Sequence, residues 1–252
     1  MASIFSIHRK DKFVTLVIGH KGVPALEAEN RVASFARARR IGADGVELDV
    51  RRAGDPQTDA RLAVWHDPIL PDGRPLLGSD WAELRGVVDE LSAVLDACAG
   101  LSLVNVEIKN WVNDRDFDES LGVAESVARG LADRPADERT AFVVSCFHLP
   151  TVDRARVVLD ELAPEVATAW LLWNVDDVAA TVATAVASGH RALHPHHSTV
   201  TAELNAAAHD AGLAVNTWTC NDPDRIRWLA EVGTDGVITD DVALARDALA
   251  KG

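Results

Sequence analysis

Two acids, Glu47 and Asp49, stand two residues apart in the run Gly45-Val46-Glu47-Leu48-Asp49-Val50. The run reads as a short buried strand that ends in carboxylates. Side chains alternate across a strand, so both acids project from one face, roughly 7 Å apart along it. Like charges beside an apolar run repel each other and are costly to desolvate, which calls for a positive partner. A divalent metal with oxygen ligands answers that need; a pair of strand-end acids facing water is the bland alternative. The spacing recurs in Val106-Glu107-Ile108-Lys109. Three carboxylates (Glu47, Asp49, Glu107) on neighbouring strands can hold one hard cation, and oxygen-only ligands favour Mg²⁺ or Ca²⁺ over zinc or copper. His20 and His66 fall at other strand ends and could flank the ion as acid and base near neutral pH. Lys21 and Lys109 lie beside these groups, and an ammonium can hold a phosphate oxygen as a point charge. Together these are the parts for metal-assisted hydrolysis of an anionic ester.

Each residue also has a plainer reading. Glu107 and Lys109 could form a structural ion pair. Asn30 could be no more than a helix cap. His66-Asp67 could be a turn, and Trp218 a core residue. His194, His196 and His197 could suggest zinc, but no carboxylate or cysteine stands at ligand spacing, so lining the mouth of a pocket suits them better. Cys146 and Cys220 read as inert packing.

The elements that must position these side chains alternate along the chain. Strands are expected at Val14 to Ile18, Gly45 to Val50, Ser102 to Ile108, Thr140 to Ser145, Thr168 to Leu172, Ala192 to His194, Ala214 to Thr217 and Gly236 to Thr239. Between them helices are expected at Arg31 to Arg40 (with Val32, Phe35 and Ala36 on one face), within Asp80 to Ala99, and at Asp116 to Leu131 and Leu149 to Leu162. Further helices are expected at Val175 to Ala187, Thr201 to Ala211, Asp222 to Val232 and Asp241 to Ala250. Leu62 to Trp65 reads as a short extended piece. Eight strand–helix pairs with no composition break imply a closed (β/α)₈ TIM barrel in the α/β class, a single domain over 1–252. A doubly wound open sheet would usually carry a Gly-rich phosphate loop after its first strand. Gly19-His20-Lys21-Gly22 is not one. In a barrel, chemistry gathers at the C-terminal strand ends, where the acids, histidines and lysines fall.

Bulk properties narrow the partners. The formal net charge is −14, which argues against nucleic acid or an anionic membrane surface. Only three cysteines occur, Cys98, Cys146 and Cys220, an odd and sparse set that points to a reducing compartment. Met1 to Lys12 has no apolar leader core, and no run approaches a membrane span. A soluble, cytoplasmic protein acting on a small molecule is expected. Of 25 basic residues five are lysines, and the two far from the chain ends are Lys21 and Lys109.

In order along the chain, Gly19-His20-Lys21-Gly22, Glu29-Asn30, Gly42 to Val50, His66-Asp67, Val106-Glu107-Ile108-Lys109, Ser145-Cys146-Phe147, Trp218-Thr219-Cys220-Asn221 and Asp235 to Asp240 resemble the glycerophosphodiester phosphodiesterase family. The resemblance implies a barrel that hydrolyses glycerophosphodiesters to glycerol phosphate and an alcohol with one divalent cation. It implies that His20 and His66 are the acid/base pair and that Glu47, Asp49 and Glu107 are metal ligands. It assigns Lys21 and Lys109 to phosphate, and Asn30, Trp218, Ser145 and Phe147 to the substrate pocket. The family usually has arginine where this chain has Lys21, and arginine offers a two-pronged grip that lysine cannot copy. The segment between His66 and Glu107 is short for the family, with Pro68 to Gly78 a brief loop, so a much reduced insertion and a more open mouth are expected. Lysophospholipase D-like and sphingomyelinase D-like enzymes share the two-histidine, three-acid logic. An enolising barrel would want acids on later strands that lack them here. A barrel that binds phosphodiesters without turning them over is the alternative of another class.

Overall fold

A computed structural model describes residues 8, 9 and 12–250, with side chains from Val14 onward. Most of Met1 to Lys12, and the last two residues of the expected domain, lie outside the described residues. Eight strands form the barrel: β1 (Leu16–Gly19), β2 (Gly45–Ala53), β3 (Leu103–Ile108), β4 (Phe142–Cys146), β5 (Ala167–Leu172), β6 (Ala192–Pro195), β7 (Ala214–Thr217) and β8 (Gly236–Thr239). Each is hydrogen-bonded in parallel to its sequence neighbours, and the β8–β1 and β1–β2 pairings close the cylinder. The helices that follow are α1 (Val32–Arg40), α2 (Leu91–Ala97), α3 (Gly122–Ala132), α4 (Leu149–Leu162), α5 (Val178–Ala187), α6 (Ala202–Asp210), α7 (Pro223–Glu231) and α8 (Val242–Ala250). This is the expected (β/α)₈ arrangement.

Strand alternation divides the side chains. On β2, Val46, Leu48 and Val50 pack outward into the main core with Phe35 of α1 and Val94 of α2. Their neighbours Glu47, Asp49 and Arg51 therefore point into the barrel. On β3, Val104, Val106 and Ile108 join the same outer core, leaving Asn105 and Glu107 inside. The lower barrel interior is filled by Leu16, Ile18, Leu103, Val143 and Ile238 with alanines from β5, β6 and β7. Apolar filling thus occupies the N-terminal part and polar groups the C-terminal part.

β2 outruns its neighbour β1. Where β1 stops, the free edge is taken by an antiparallel strand, Arg61–Val64, with Val50 opposite Val64 and Ala53 opposite Arg61. A two-residue strand, Asp89–Glu90, adds to that piece. The loop between, 68–80, folds over Leu70, Leu76 and Leu84, which make a small satellite core.

Several expectations shift. Asn30 does not cap α1; the cap is Arg31, and Asn30 sits at φ +56° with its side chain turned to Asp49. The buried face of α1 is Ser34, Phe35 and Ala38 rather than Ala36. α3 starts at Gly122, not Asp116, because 114–118 carries three aspartates drawn to Arg51 and Arg52, and Asp118, ahead of the Leu121 cap, accepts from Val123 N in the first turn. α5 starts at Val178, where Asp177 accepts from Ala180 N and fixes the first turn. The single turns Trp81–Leu84 and Ala136–Arg139 are too short for periodicity to reveal.

Candidate active site

Glu47 and Asp49 of β2 and Glu107 of β3 meet at the C-terminal mouth, Asp49 lying opposite Glu107 in the β2–β3 register. One carboxylate oxygen from each lies within 4.8 Å of the others, and all three residues are buried. Lys109 bridges two of them, its Nζ 2.5 Å from Glu107 Oε1 and 3.1 Å from Asp49 Oδ1. The ion pair read as a bland alternative therefore exists, but inside the acid cluster. Asn30 grips Asp49 twice: Nδ2 donates to Asp49 Oδ2 (2.7 Å), and Oδ1 accepts from Asp49 N (3.2 Å).

The loop after β1 supplies the next groups. His20 N donates to Thr239 O at 2.8 Å, extending the β8–β1 ladder by one residue. The chain then turns sharply, with Lys21 at φ +50° and Gly22 at φ +88°. A Cβ on Gly22 would lie 2.3 Å from Ser34 Oγ, so the turn leaves no room for a side chain. The turn aims Lys21 N at Glu47 Oε2 (2.9 Å) and brings Lys21 Nζ to 3.8 Å from Asp49 and 3.4 Å from Glu29.

Each of the two histidines has a carboxylate at Nδ1. His20 Nδ1 is 2.6 Å from Asp240 Oδ1, beyond the end of β8, and its Nε2 faces Glu47 Oε2 at 3.8 Å. His66 Nδ1 is 2.7 Å from Asp67 Oδ1. A carboxylate at Nδ1 favours the tautomer with the proton on that nitrogen, which leaves Nε2 of each ring without it. His66 and Lys109 line a cavity of about 270 Å³ with Phe147, Trp111 and Trp173. Trp218 stands edge-on to Phe147 and Trp173 at 5.3 and 4.7 Å between ring centres, and its Nε1 donates to His194 O.

Electrostatics separates the acids. Burial, then the Asp49 charge, pushes the Glu47 carboxyl up to about 8. Burial also acts to raise Asp49, but Lys109, His66, Lys21 and the Asn30 hydrogen bond hold it well below the usual carboxylate range. Burial would lower Lys109, yet Glu107 and Asp49 leave it raised. His20 follows the same pattern: burial lowers it, and the Asp240 hydrogen bond with the Glu47 and Asp49 charges raises it overall.

The donor set fits a hard divalent cation. It is all oxygen, three-pronged and buried, and Glu47 Oε1 has no hydrogen-bond partner. It is the single such group among the described residues, so the three histidines near 194 do not form another. Nor do all three line the mouth: His194 is fully buried inside the barrel, where burial drives its imidazole down to about 3, while His196 and His197 lie at the rim. Ser145 is fully buried on the inward face of β4, opposite Glu107 in the β3–β4 register. Cys146 and Cys220 are buried, and burial pushes the Cys146 thiol up to about 12, consistent with packing.

The sequence reading missed Asp240, Arg51, Trp111 and Trp173. Arg51 continues the Glu47–Asp49 spacing and Trp111 continues the Glu107–Lys109 spacing, so period two could have found both. Asp240 and Trp173 each follow directly on the last residue of a barrel strand.

Residues 20–244 match the glycerophosphoryl diester phosphodiesterase family. A glycerophosphodiester phosphodiesterase of Caldanaerobacter subterraneus subsp. tengcongensis is 25% identical over 259 residues, covering 94% of this chain and 99% of the relative. The crystal structure of the glycerophosphodiester phosphodiesterase of Thermotoga maritima superposes with a TM-score of 0.74 at 24% identity, covering 94% of this chain and 99% of that one. A phosphodiesterase of Oleispira antarctica, solved with the product sn-glycerol-3-phosphate, gives 0.74 at 22% identity, covering 94% and 97%.

Proposed function

Since the chain belongs to the glycerophosphoryl diester phosphodiesterase family and is a phosphodiester hydrolase, we propose that it cleaves glycerophosphodiesters to glycerol phosphate and an alcohol by two-histidine acid/base catalysis at the β2–β3 mouth. The observation that carries the reading is convergence: residues from 20 to 107 along the chain bring three carboxylates and two carboxylate-backed imidazoles to one rim. The related Oleispira antarctica phosphodiesterase holds sn-glycerol-3-phosphate, which supports glycerol phosphate as a product here.

Glu47, Asp49 and Glu107 would hold one Mg²⁺ or Ca²⁺. Bound there, the cation would lower the pKa of a coordinated substrate hydroxyl and offset phosphate charge. His20 and His66 trade a proton through Nε2, one taking it from the attacking hydroxyl and the other giving one to the leaving alkoxide. Asp240 and Asp67 keep each ring in the required tautomer. A cyclic phosphate forms, then opens to water with the two roles reversed. Lys21 and Lys109 offset charge gathering on the phosphate oxygens. Asn30 holds Asp49 in line, and Phe147 and Trp218 shape the wall of the pocket, with Ser145 buried on the inward face of β4. No described helix is long and apolar enough to cross a membrane; the −14 charge disfavours a nucleic-acid partner, and we read the chain as a single-domain cytoplasmic enzyme with a small-molecule substrate.

His20→Ala and His66→Ala, made separately and assayed on glycerophosphocholine with added Mg²⁺ or Ca²⁺, should each lose roughly 10²–10⁴ in rate. If both keep turnover within a few-fold of wild type, the acid/base assignment is wrong. A lysophospholipase D-like preference would show as faster cleavage of lysophosphatidylcholine in the same assay.

A further inference from the structure

We propose that Arg51 is the residue that positions His66, and that one buried guanidinium fixes both the histidine and the loop forming the opposite wall of the cleft. The inference rests on the function proposed above, in which His66 moves a proton.

Arg51 stands two residues after Asp49 on the inward face of β2, its side chain 4% exposed. Its three nitrogens each have one partner. Nε donates to His66 O at 2.6 Å, Nη1 to Asp116 Oδ1 at 2.8 Å and Nη2 to Asp114 Oδ2 at 2.8 Å. The guanidinium is a flat fork with fixed N–H directions, so three in-plane partners are locked relative to one another.

His66 needs such a hold. The antiparallel strand that leads to it ends at Val64, and the last ladder-like bond is Trp65 N to Asp49 O at 3.0 Å. Its side-chain partner, Asp67, is its chain neighbour and would move with it. Its side chain is 42% exposed, so packing restrains it weakly. The Arg51 bond to its carbonyl is thus the tie that connects this residue to the rigid strand bearing Glu47 and Asp49. On the other side, Asp114 and Asp116 belong to the loop that begins at Trp111, and Arg52 holds Asp116 O and Asp118 of the same loop. The alternating aspartates of this segment look like a cation-binding loop in sequence, but arginines meet their charge. Trp111, His66 and Arg51 line one cavity, so the fork sets the distance between the acid/base group and the aromatic wall.

A purely structural ion cluster would predict lost stability and unchanged chemistry. A positioning role predicts a selective loss in turnover, because misplacing a proton-transfer group by about 1 Å can cost about 10²-fold. The test compares wild type, Arg51→Lys and Arg51→Met on glycerophosphocholine with divalent cation, each first shown folded by circular dichroism. The expected result is a kcat loss of about 10²-fold in R51M with KM changed less than about threefold. R51K should be intermediate, and added methylguanidinium should recover part of the R51M kcat. Independently of turnover, the His66 ring resonances should broaden or shift in R51M while those of His190, far from the mouth, stay put. Folded R51M with wild-type kcat and unchanged His66 resonances overturns the proposal. If R51M fails to fold, R51K decides: charge retained with kcat down at least about tenfold supports the role, and unchanged kcat overturns it. If wild type itself shows no phosphodiesterase activity, the functional reading fails, and the His66 resonances alone judge Arg51.

Discussion

In the cation-free chain the Glu47 carboxyl is pushed up to about 8 from an ordinary 4.5, by burial first and by Asp49 next. A group whose folded pKa lies above its unfolded one stabilises the fold below the unfolded value and loses that contribution as pH rises through the folded one. Glu47 therefore weakens the cation-free protein progressively from about pH 4.5 to 8. Asp49 runs the other way: its depressed pKa adds stability above the ordinary aspartate value, lost as the medium becomes acid. A dication must displace the Glu47 proton, so binding is stronger where that proton leaves readily. Added Mg²⁺ or Ca²⁺ should raise the melting temperature more at pH 8 than at pH 5; an equal or reversed gain would remove Glu47 from the ligand set. Glu47→Gln can still accept from Lys21 N, and it abolishes the repulsion with Asp49. At pH 8 it should make the cation-free protein more stable by on the order of 2 kcal/mol while cancelling the cation-dependent gain in the same melts. Chelation of wild type should abolish turnover, and Mg²⁺ or Ca²⁺ should restore it.

At the scale of elements, the loop after β1 is where small changes should matter most. Gly22 has no space for a methyl group, and Asn30 ties the loop to Asp49 with two hydrogen bonds. Gly22→Ala should destabilise by about 1–3 kcal/mol, since both the positive φ and the Ser34 contact oppose it. Asn30→Ala should cost a similar amount, because it strips a buried carboxylate of its donor and leaves alanine at φ +56°. Urea unfolding at neutral pH checks both, and values below about 0.5 kcal/mol would mean that the loop relaxes freely. What could be read of this region in advance followed from periodicity. Glu47, Asp49 and Glu107 were legible because a strand puts alternate residues on one face and the apolar ones between them must face the helices. Asn30 was not, because a cap and a reach to another strand look identical until the loop is closed. The start of α3 was missed because helical spacing continues through Asp116 to Leu121, and only arginines from β2, remote in sequence, pull those aspartates out of it. His194 was misplaced for a related reason: its neighbours His196 and His197 lie on the rim, and nothing local says which histidine turns inward.

Across the whole molecule the charge of −14 acts on any anionic substrate before contact. Two lysines at the mouth offset only part of that field. For a glycerophosphodiester of net negative charge, such as glycerophosphoglycerol, kcat/KM should rise about two- to tenfold as ionic strength goes from 0.01 to about 0.15 M, because the screening length falls from about 30 to about 8 Å. A flat or falling response would show that the lysines already dominate the approach. The mouth itself is lopsided. The three clustered acids, the imidazoles and the ammonium groups come from β1 to β3 and the loops that follow them, with Asp240 after β8 backing His20, whereas of the aromatic wall only Trp111 follows β3, and Phe147, Trp173 and Trp218 follow β4, β5 and β7. In the proposed reaction, proton transfer and most of the aromatic wall would therefore fall on separate stretches of the same ring. Selection could exchange one alcohol for another by rewriting the later loops, while the earlier ones, each threaded to Asp49 or Glu47 or Arg51, would have almost no licence to drift.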